Sequence, residues 1–179
     1  MGNRLENKVA VVTGSSSGNG RAIALALAAE GAVLVCSDIR REAREGGYET
    51  DIRTPTDDVI RANGGRAEYV EADAASYSAV EALVASAVTS FGRLDVMVNN
   101  AGIFTDLHTI VDETEEEYDM TMAVNAKSVW LGCKFAIRQM LAQEPVGGSR
   151  GSSTSPPLEA SSGWPLSRPT ARRRAPWST

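Results

Sequence analysis

The chain has 179 residues, a formal net charge of −5, 42% hydrophobic and 23% charged residues, a balance that fits one soluble globular domain. It has no run of eighteen or more apolar residues, and its polar opening, MGNRLENK, leads straight into an apolar run; neither a membrane span nor a secretory leader is expected, and a cytoplasmic location follows. Cys36 and Cys133 lie far apart without a CxxC spacing and His108 is the single histidine, which argues against a metal site or a disulfide framework.

In chain order, Lys8 to Val12 is a short β-branched run that stops at Thr13-Gly14, and the stretch after Gly18 has helical spacing up to Gly31. Val33 to Cys36, Ala67 to Val70 and Leu94 to Val98 read as three further strands, each bounded by turn residues. Between them, Thr54-Pro55 followed by Asp57 resembles a helix start, and Tyr77 to Phe91 carries apolar residues at three- and four-residue spacing before Gly92. A last helical region opens with Thr114 and Glu117 in capping-box spacing and runs through Tyr118, Met122, Trp130 and Phe135 to about Gln143. Strands alternating with helices imply an α/β fold with a doubly wound parallel sheet.

The charge divides the chain. Residues 1–146 hold 13 of the 18 Lys and Arg and 22 of the 23 Asp and Glu, a balance of −9, whereas 147–179 hold five Arg and one Glu, a balance of +4. Gly, Ser, Pro and Arg make up 22 of the last 33 residues, with no hydrophobic period, so 1–146 reads as the folded region and 147–179 as a disordered tail. The run Arg172 to Arg174 is no nucleic-acid contact, given the acidic folded region and no aromatic-basic interleaving.

The loop Thr13-Gly14-Ser15-Ser16-Ser17-Gly18-Asn19-Gly20 lies between the first strand and the first helix. Glycines there let the backbone approach a pyrophosphate, and the helix start offers unpaired N–H groups and the positive end of its dipole. Asp38 stands just past the second strand, where a carboxylate accepts from both hydroxyls of an adenosine ribose and repels a 2′-phosphate, favouring NAD over NADP; Arg40 and Arg41 could offset that repulsion. Asp73, at the end of the third strand, could meet an adenine amino group. Asn99-Asn100-Ala101-Gly102 ends the fourth, at the crevice where open α/β sheets bind ligands.

The set TGSSSGNG, Asp38, Asp73, NNAG and Asn125 within MAVNAKSVW resembles the short-chain dehydrogenase/reductase family over residues 6 to about 145, with Asn19 standing where that family usually has an apolar residue. The resemblance implies a Rossmann oxidoreductase moving hydride between NAD(H) and a small alcohol or carbonyl substrate, in an intact relative that is a homo-oligomer. By it, Gly14, Gly18 and Gly20 contact the cofactor phosphates, Asp38 the ribose, Asp73 with Ala74 the adenine, and Asn100, Ala101 and Gly102 the middle of the dinucleotide, with Thr13, Ser16, Asn19 and Ile39 also among the cofactor-binding residues. Asn125 matches the catalytic asparagine, at a helix kink where it holds a proton-relay water. His108 is expected as a solvated loop residue, Glu115 to Glu117 as a helix start, and Cys133 as core.

The family's substrate-binding serine and its Tyr-x-x-x-Lys pair are missing: the last tyrosine is Tyr118 and the last lysine Lys134. The tail suggests why. With GGA for Gly151, permitted codons for residues 152–179, read from the final A of that GGA, give IVNIASIGGLVGLAAEPTYGASKGAVVN. That string holds a strand ending in serine, in register with Pro157, then a tyrosine thirteen positions on, at Thr170, and a lysine at Arg174. The first two bases of each observed codon fix the last two of each shifted one, so tyrosine can arise only where an observed codon starts AC or AT, as for Thr170. The tail is therefore expected to be an out-of-frame translation of the active-site segment, and this chain to be inactive as written. It also leaves the fourth strand as a sheet edge and the helix bearing Trp130 and Phe135 without a packing partner. The alternative is a non-catalytic dinucleotide-binding or interaction module that ends naturally in this tail.

Overall fold

A computed structural model describes residues 3–47, 49, 51–105 and 109–144; His108 and the tail lie outside the described residues. Four parallel strands, β1 (Val9–Thr13), β2 (Val33–Asp38), β3 (Ala67–Glu71) and β4 (Val96–Val98), form one sheet in the order β3-β2-β1-β4. The chain moves outward from β1 to β2 to β3, then returns to the other side of β1, so the order reverses between β1 and β4. That reversal opens a crevice at the C-terminal strand ends.

The helices are α1 (Gly18–Ala29), α2 (Thr56–Ala62), α3 (Tyr77–Phe91), α4 (Glu115–Met122) and α5 (Ser128–Ala142), the last two joined by a π-helical turn over Ala123–Lys127. Alternate residues of β1 and β2 explain why both faces of the sheet are covered. Val9, Val11, Val33 and Val35 pack with Val80, Leu83 and Val84 of α3 and with Leu131 and Phe135 of α5. Ala10, Val12, Leu34 and Cys36 pack with Ala24 of α1 and Ile60 of α2. A strand buried on both faces needs a continuous apolar run rather than an alternating one, and VAVV supplies it.

Several boundaries moved. Strand β2 runs on to Asp38, two residues past Cys36, because its pairing with β3 continues to Asp38↔Glu71. Strand β4 is shorter than Leu94–Val98: the Leu94 N–H and C=O pair with the side-chain amide of Gln143 at 3.0 and 2.6 Å, and the ladder with β1 starts at Val96. Thr54 does not cap α2; its hydroxyl donates to Asp51, and Pro55 occupies the cap position. The Thr114–Glu117 capping box forms with both of its hydrogen bonds, and Glu115 to Glu117 fill the first turn of α4.

On α5 the buried positions are Ser128, Leu131, Gly132, Phe135 and Ala136, one i, i+3, i+4 stripe. Phe135 therefore has a partner, Tyr77, edge-to-face at 4.9 Å between ring centroids, whereas Trp130 off the stripe is exposed. Cys133 also falls off the stripe and is exposed, not core. Gly132 lets α5 close on the strand ends: a Cβ there would sit 1.8 Å from Asn99 Oδ1.

Candidate functional site

The C-terminal ends of the four strands open into a cavity of about 590 Å³, a size suited to a small-molecule ligand. Every cofactor-binding candidate except Gly18 lines it: Thr13, Gly14, Ser16, Asn19 and Gly20 from the glycine loop, Asp38 and Ile39 after β2, Asp73 and Ala74 after β3, and Asn100, Ala101 and Gly102 after β4. Gly18 points elsewhere, its N–H donating to the Glu49 carboxylate.

Two loops fuse to make the floor. The Thr13 hydroxyl oxygen accepts from the N–H groups of Asn100 and Ala101, both at 3.1 Å. The Asn100 amide donates back to the carbonyls of Thr13 at 3.0 Å and Gly14 at 3.2 Å. No side chain fits between them. A Cβ at Gly14, which already has φ +64°, would lie 2.9 Å from Ala101 Cα, and one at Gly20 would lie 1.9 Å from the Gly14 carbonyl oxygen.

Helix α1 begins at this floor with no acidic residue in its first turn and no side-chain cap bond from Ser17. Among the described residues the amides of Asn19 and Gly20 have no acceptor, so two amides at the positive end of the helix stay open to an anion beside the Glu49 carboxylate that takes the Gly18 N–H. Asp38 guards one end. Its Oδ2 accepts from the Ser16 N–H at 3.1 Å and its Oδ1 from the Ile39 N–H at 2.8 Å, which fixes the carboxylate at the cavity wall. Asp73 makes a local turn, Oδ1 accepting from Ala75 N–H at 2.9 Å, with the side chain exposed on the cavity. Open amides between two carboxylate acceptors are a set that could hold a dinucleotide cofactor.

Asn125 sits at the centre of the π-helical turn and does not line the cavity, although its neighbour Val124 does. Its side chain is engaged: Oδ1 accepts from the Ile103 N–H at 2.8 Å and Nδ2 donates to the Ile103 carbonyl at 2.9 Å. A π-helical turn interrupts the i→i+4 ladder and recurs at functional sites.

Sequence reasoning missed several wall residues. Glu42 and Arg44 line the cavity from a segment with no periodicity, which gave no signal. Thr56, whose hydroxyl donates to the Ser15 carbonyl at 2.7 Å, and Arg21, which donates to the Thr54 carbonyl at 2.9 Å, clamp the glycine loop from outside.

Comparison with known proteins gives a consistent result. The family profile described as short chain dehydrogenase matches residues 8–149. The chain is 41% identical over 135 residues to the short-chain dehydrogenase/reductase eriH of Hericium erinaceus, covering 75% of this chain and 51% of that protein. It is 38% identical over 139 residues to 2-(R)-hydroxypropyl-CoM dehydrogenase of Xanthobacter autotrophicus, covering 76% of this chain and 52% of that one. A crystal structure of a short chain dehydrogenase from Mycobacterium smegmatis superposes with a TM-score of 0.67 at 35% identity, over 79% of this chain and 55% of that chain. The chain thus spans about half the length of the curated relatives it matches.

Proposed function

Because the chain belongs to the short-chain dehydrogenase/reductase family, we propose that it carries the cofactor-binding half of an oxidoreductase that interconverts a hydroxyl and a carbonyl with NAD(H). The observation that carries the NAD reading is the Asp38 carboxylate, held at the cavity wall by the Ser16 and Ile39 amides. A fixed carboxylate accepts hydrogen bonds from a ribose diol and opposes a 2′-phosphate. The nicotinamide, when bound, supplies the hydride acceptor or donor. The chain's own part is positional: the open Asn19 and Gly20 amides bind the pyrophosphate, Asp73 meets the adenine edge, and Asn100 to Gly102 line the middle of the cofactor.

Proton transfer is a separate matter. The serine, tyrosine and lysine of the family site have no counterpart in the frame as written, since no tyrosine follows Tyr118 and no lysine follows Lys134. Positioned acid–base groups contribute about 100- to 10,000-fold, so the chain as written is expected to bind cofactor without turning substrate over. Asn125 keeps its place through the Ile103 bridge, and the proposed water would then be held by the main chain of the π-helical turn. We attribute the missing residues to a shifted reading frame. Support comes from the family match, which ends at residue 149, beside the Arg150 and Gly151 codons from which the shifted frame reads.

Two experiments test this. Fluorescence titration of the 179-residue chain with NADH should saturate, and Asp38→Ala should weaken NADH at least tenfold while narrowing its advantage over NADPH; equal behaviour of the two proteins would overturn the NAD reading. Sequencing the gene across the codons for Arg150 and Gly151 tests the frame. An intact frame there, with related genes ending alike, would leave a non-catalytic module as the better account.

A further inference from the structure

Tyr69 stands on β3 opposite Cys36, and Asp38 lies two residues further along β2, on the same face. This diagonal is short enough for a long side chain to cross. The Tyr69 hydroxyl donates to the Asp38 main-chain carbonyl at 2.8 Å, an oxygen that also accepts from the Ala72 N–H at 3.0 Å. The carbonyl of Asp38 and the N–H of Ile39 belong to one planar peptide group. That same Ile39 N–H donates to Asp38 Oδ1 at 2.8 Å. Whatever fixes the peptide plane therefore fixes the direction in which the carboxylate is held.

We propose that Tyr69 is a positioning residue for cofactor discrimination: its hydroxyl locks the Asp38–Ile39 peptide and thereby the carboxylate that separates a ribose diol from a 2′-phosphate. The inference rests on reading the cavity as a dinucleotide site. Two observations support the hydroxyl rather than the ring as the acting group. The ring packs in the cluster formed by Ala10, Val12, Leu34 and Ile60, so phenylalanine can keep its place. Burial, with the negative charges of Asp38 and Glu71, holds the phenol above its ordinary pKa, so it stays a neutral donor at any working pH.

The test is titration of the 179-residue chain with NADH and with NADPH, for wild type, Tyr69→Phe, Asp38→Ala and the double variant. One lost hydrogen bond predicts a three- to tenfold weaker NADH affinity in Y69F, on the order of a typical net hydrogen bond, with NADPH changed less than twofold. In the D38A background the tyrosine substitution should do nothing further. The ratio of the two affinities does not depend on how much protein is folded. Tyr69→Met, which fills the apolar space without an O–H, should give the same ratio as Y69F. A proportional loss for both cofactors, or an undiminished effect of Y69F in the D38A background, overturns the positioning role while leaving the dinucleotide reading intact. Wild type that binds neither cofactor overturns both.

Discussion

Asn125 and Ile103 are joined by a two-way amide bridge, the side chain of one taking both the N–H and the C=O of the other at 2.8 and 2.9 Å. The bridge ties the segment after β4 to the π-helical turn between α4 and α5, across 22 residues of sequence. It places the turn that carries Asn125 against the chain leaving the NNAG segment at the cavity.

Asn125→Ala should therefore cost about 1–2 kcal/mol, because two main-chain groups lose their partner at a site that water still reaches. Asn125→Asp should retain the bond from the Ile103 N–H and set a carboxylate against the Ile103 carbonyl, falling between wild type and alanine near neutral pH. Denaturant unfolding measures the stability, and amide exchange at Ile103 should quicken by roughly tenfold in the alanine variant. An unchanged exchange rate would mean the bridge is not formed in solution.

The glycine loop separates two kinds of glycine. At Gly20 a Cβ would lie 1.9 Å from the Gly14 carbonyl oxygen, so Gly20→Ala must push the loop off the NNAG segment. At Gly18 a Cβ would meet nothing within 4 Å, and the only penalty is φ +55°. Gly18→Ala should cost about 1 kcal/mol and leave NADH titration close to wild type, whereas Gly20→Ala should abolish saturation. Similar losses in both variants would show that the backbone conformation, not the close approach, governs the site.

How much was legible beforehand follows from where the information sits. The helix Tyr77–Phe91 with Gly92 as its left-handed stop, and the capping box at Thr114 and Glu117, are local signals and appear where the sequence places them. Asp38, Asp73 and NNAG could be placed at strand ends because a parallel sheet sends every such end to one edge. What stayed hidden depends on distant partners. The start of β4 is set by the Gln143 amide 49 residues away, and the exposure of Cys133 by which stripe of α5 meets the sheet. Tyr69 showed only as a strand residue, since its use lies in a diagonal contact that register alone determines.

The two thiols should differ sharply. Cys36 is buried in β2, and burial, with the Asp57 charge, pushes its thiol up to about 12. Cys133 is exposed on α5, its Sγ 3.5 Å from the Asn99 side-chain amide. A disulfide reagent at pH 8 should modify Cys133 rapidly and Cys36 only on unfolding, because the thiolate is the reactive form. Two thiols reacting at one rate in the native protein would contradict the packing of β2.

Asp57 makes the stability of the fold depend on pH. Its side chain is 2% exposed, with Oδ2 accepting from Arg41 at 2.8 Å and ion-paired with Arg61 at 3.0 Å. Burial pushes the carboxyl up, and the hydrogen bonds and charge of Arg41 and Arg61 push it further down, leaving it below the ordinary carboxylate value of 3.8. A group whose folded pKa is depressed stabilises the fold above its unfolded pKa, and that contribution disappears as pH falls through the folded value. Wild type should therefore lose denaturant resistance progressively below about pH 4, as unfolded carboxylates near that value take up protons before Asp57 does. Asp57→Asn should already be weaker at pH 7, by about 1–3 kcal/mol, since two arginines lose a charged acceptor yet keep access to water. Between pH 7 and pH 3 its stability should fall less steeply than that of wild type, and the difference between the two curves isolates this carboxylate from Asp95, which is also depressed. Parallel curves would show that Asp57 titrates alike in the folded and unfolded chains, and that Arg41 and Asp57 do not hold α2 against the segment after β2 in solution.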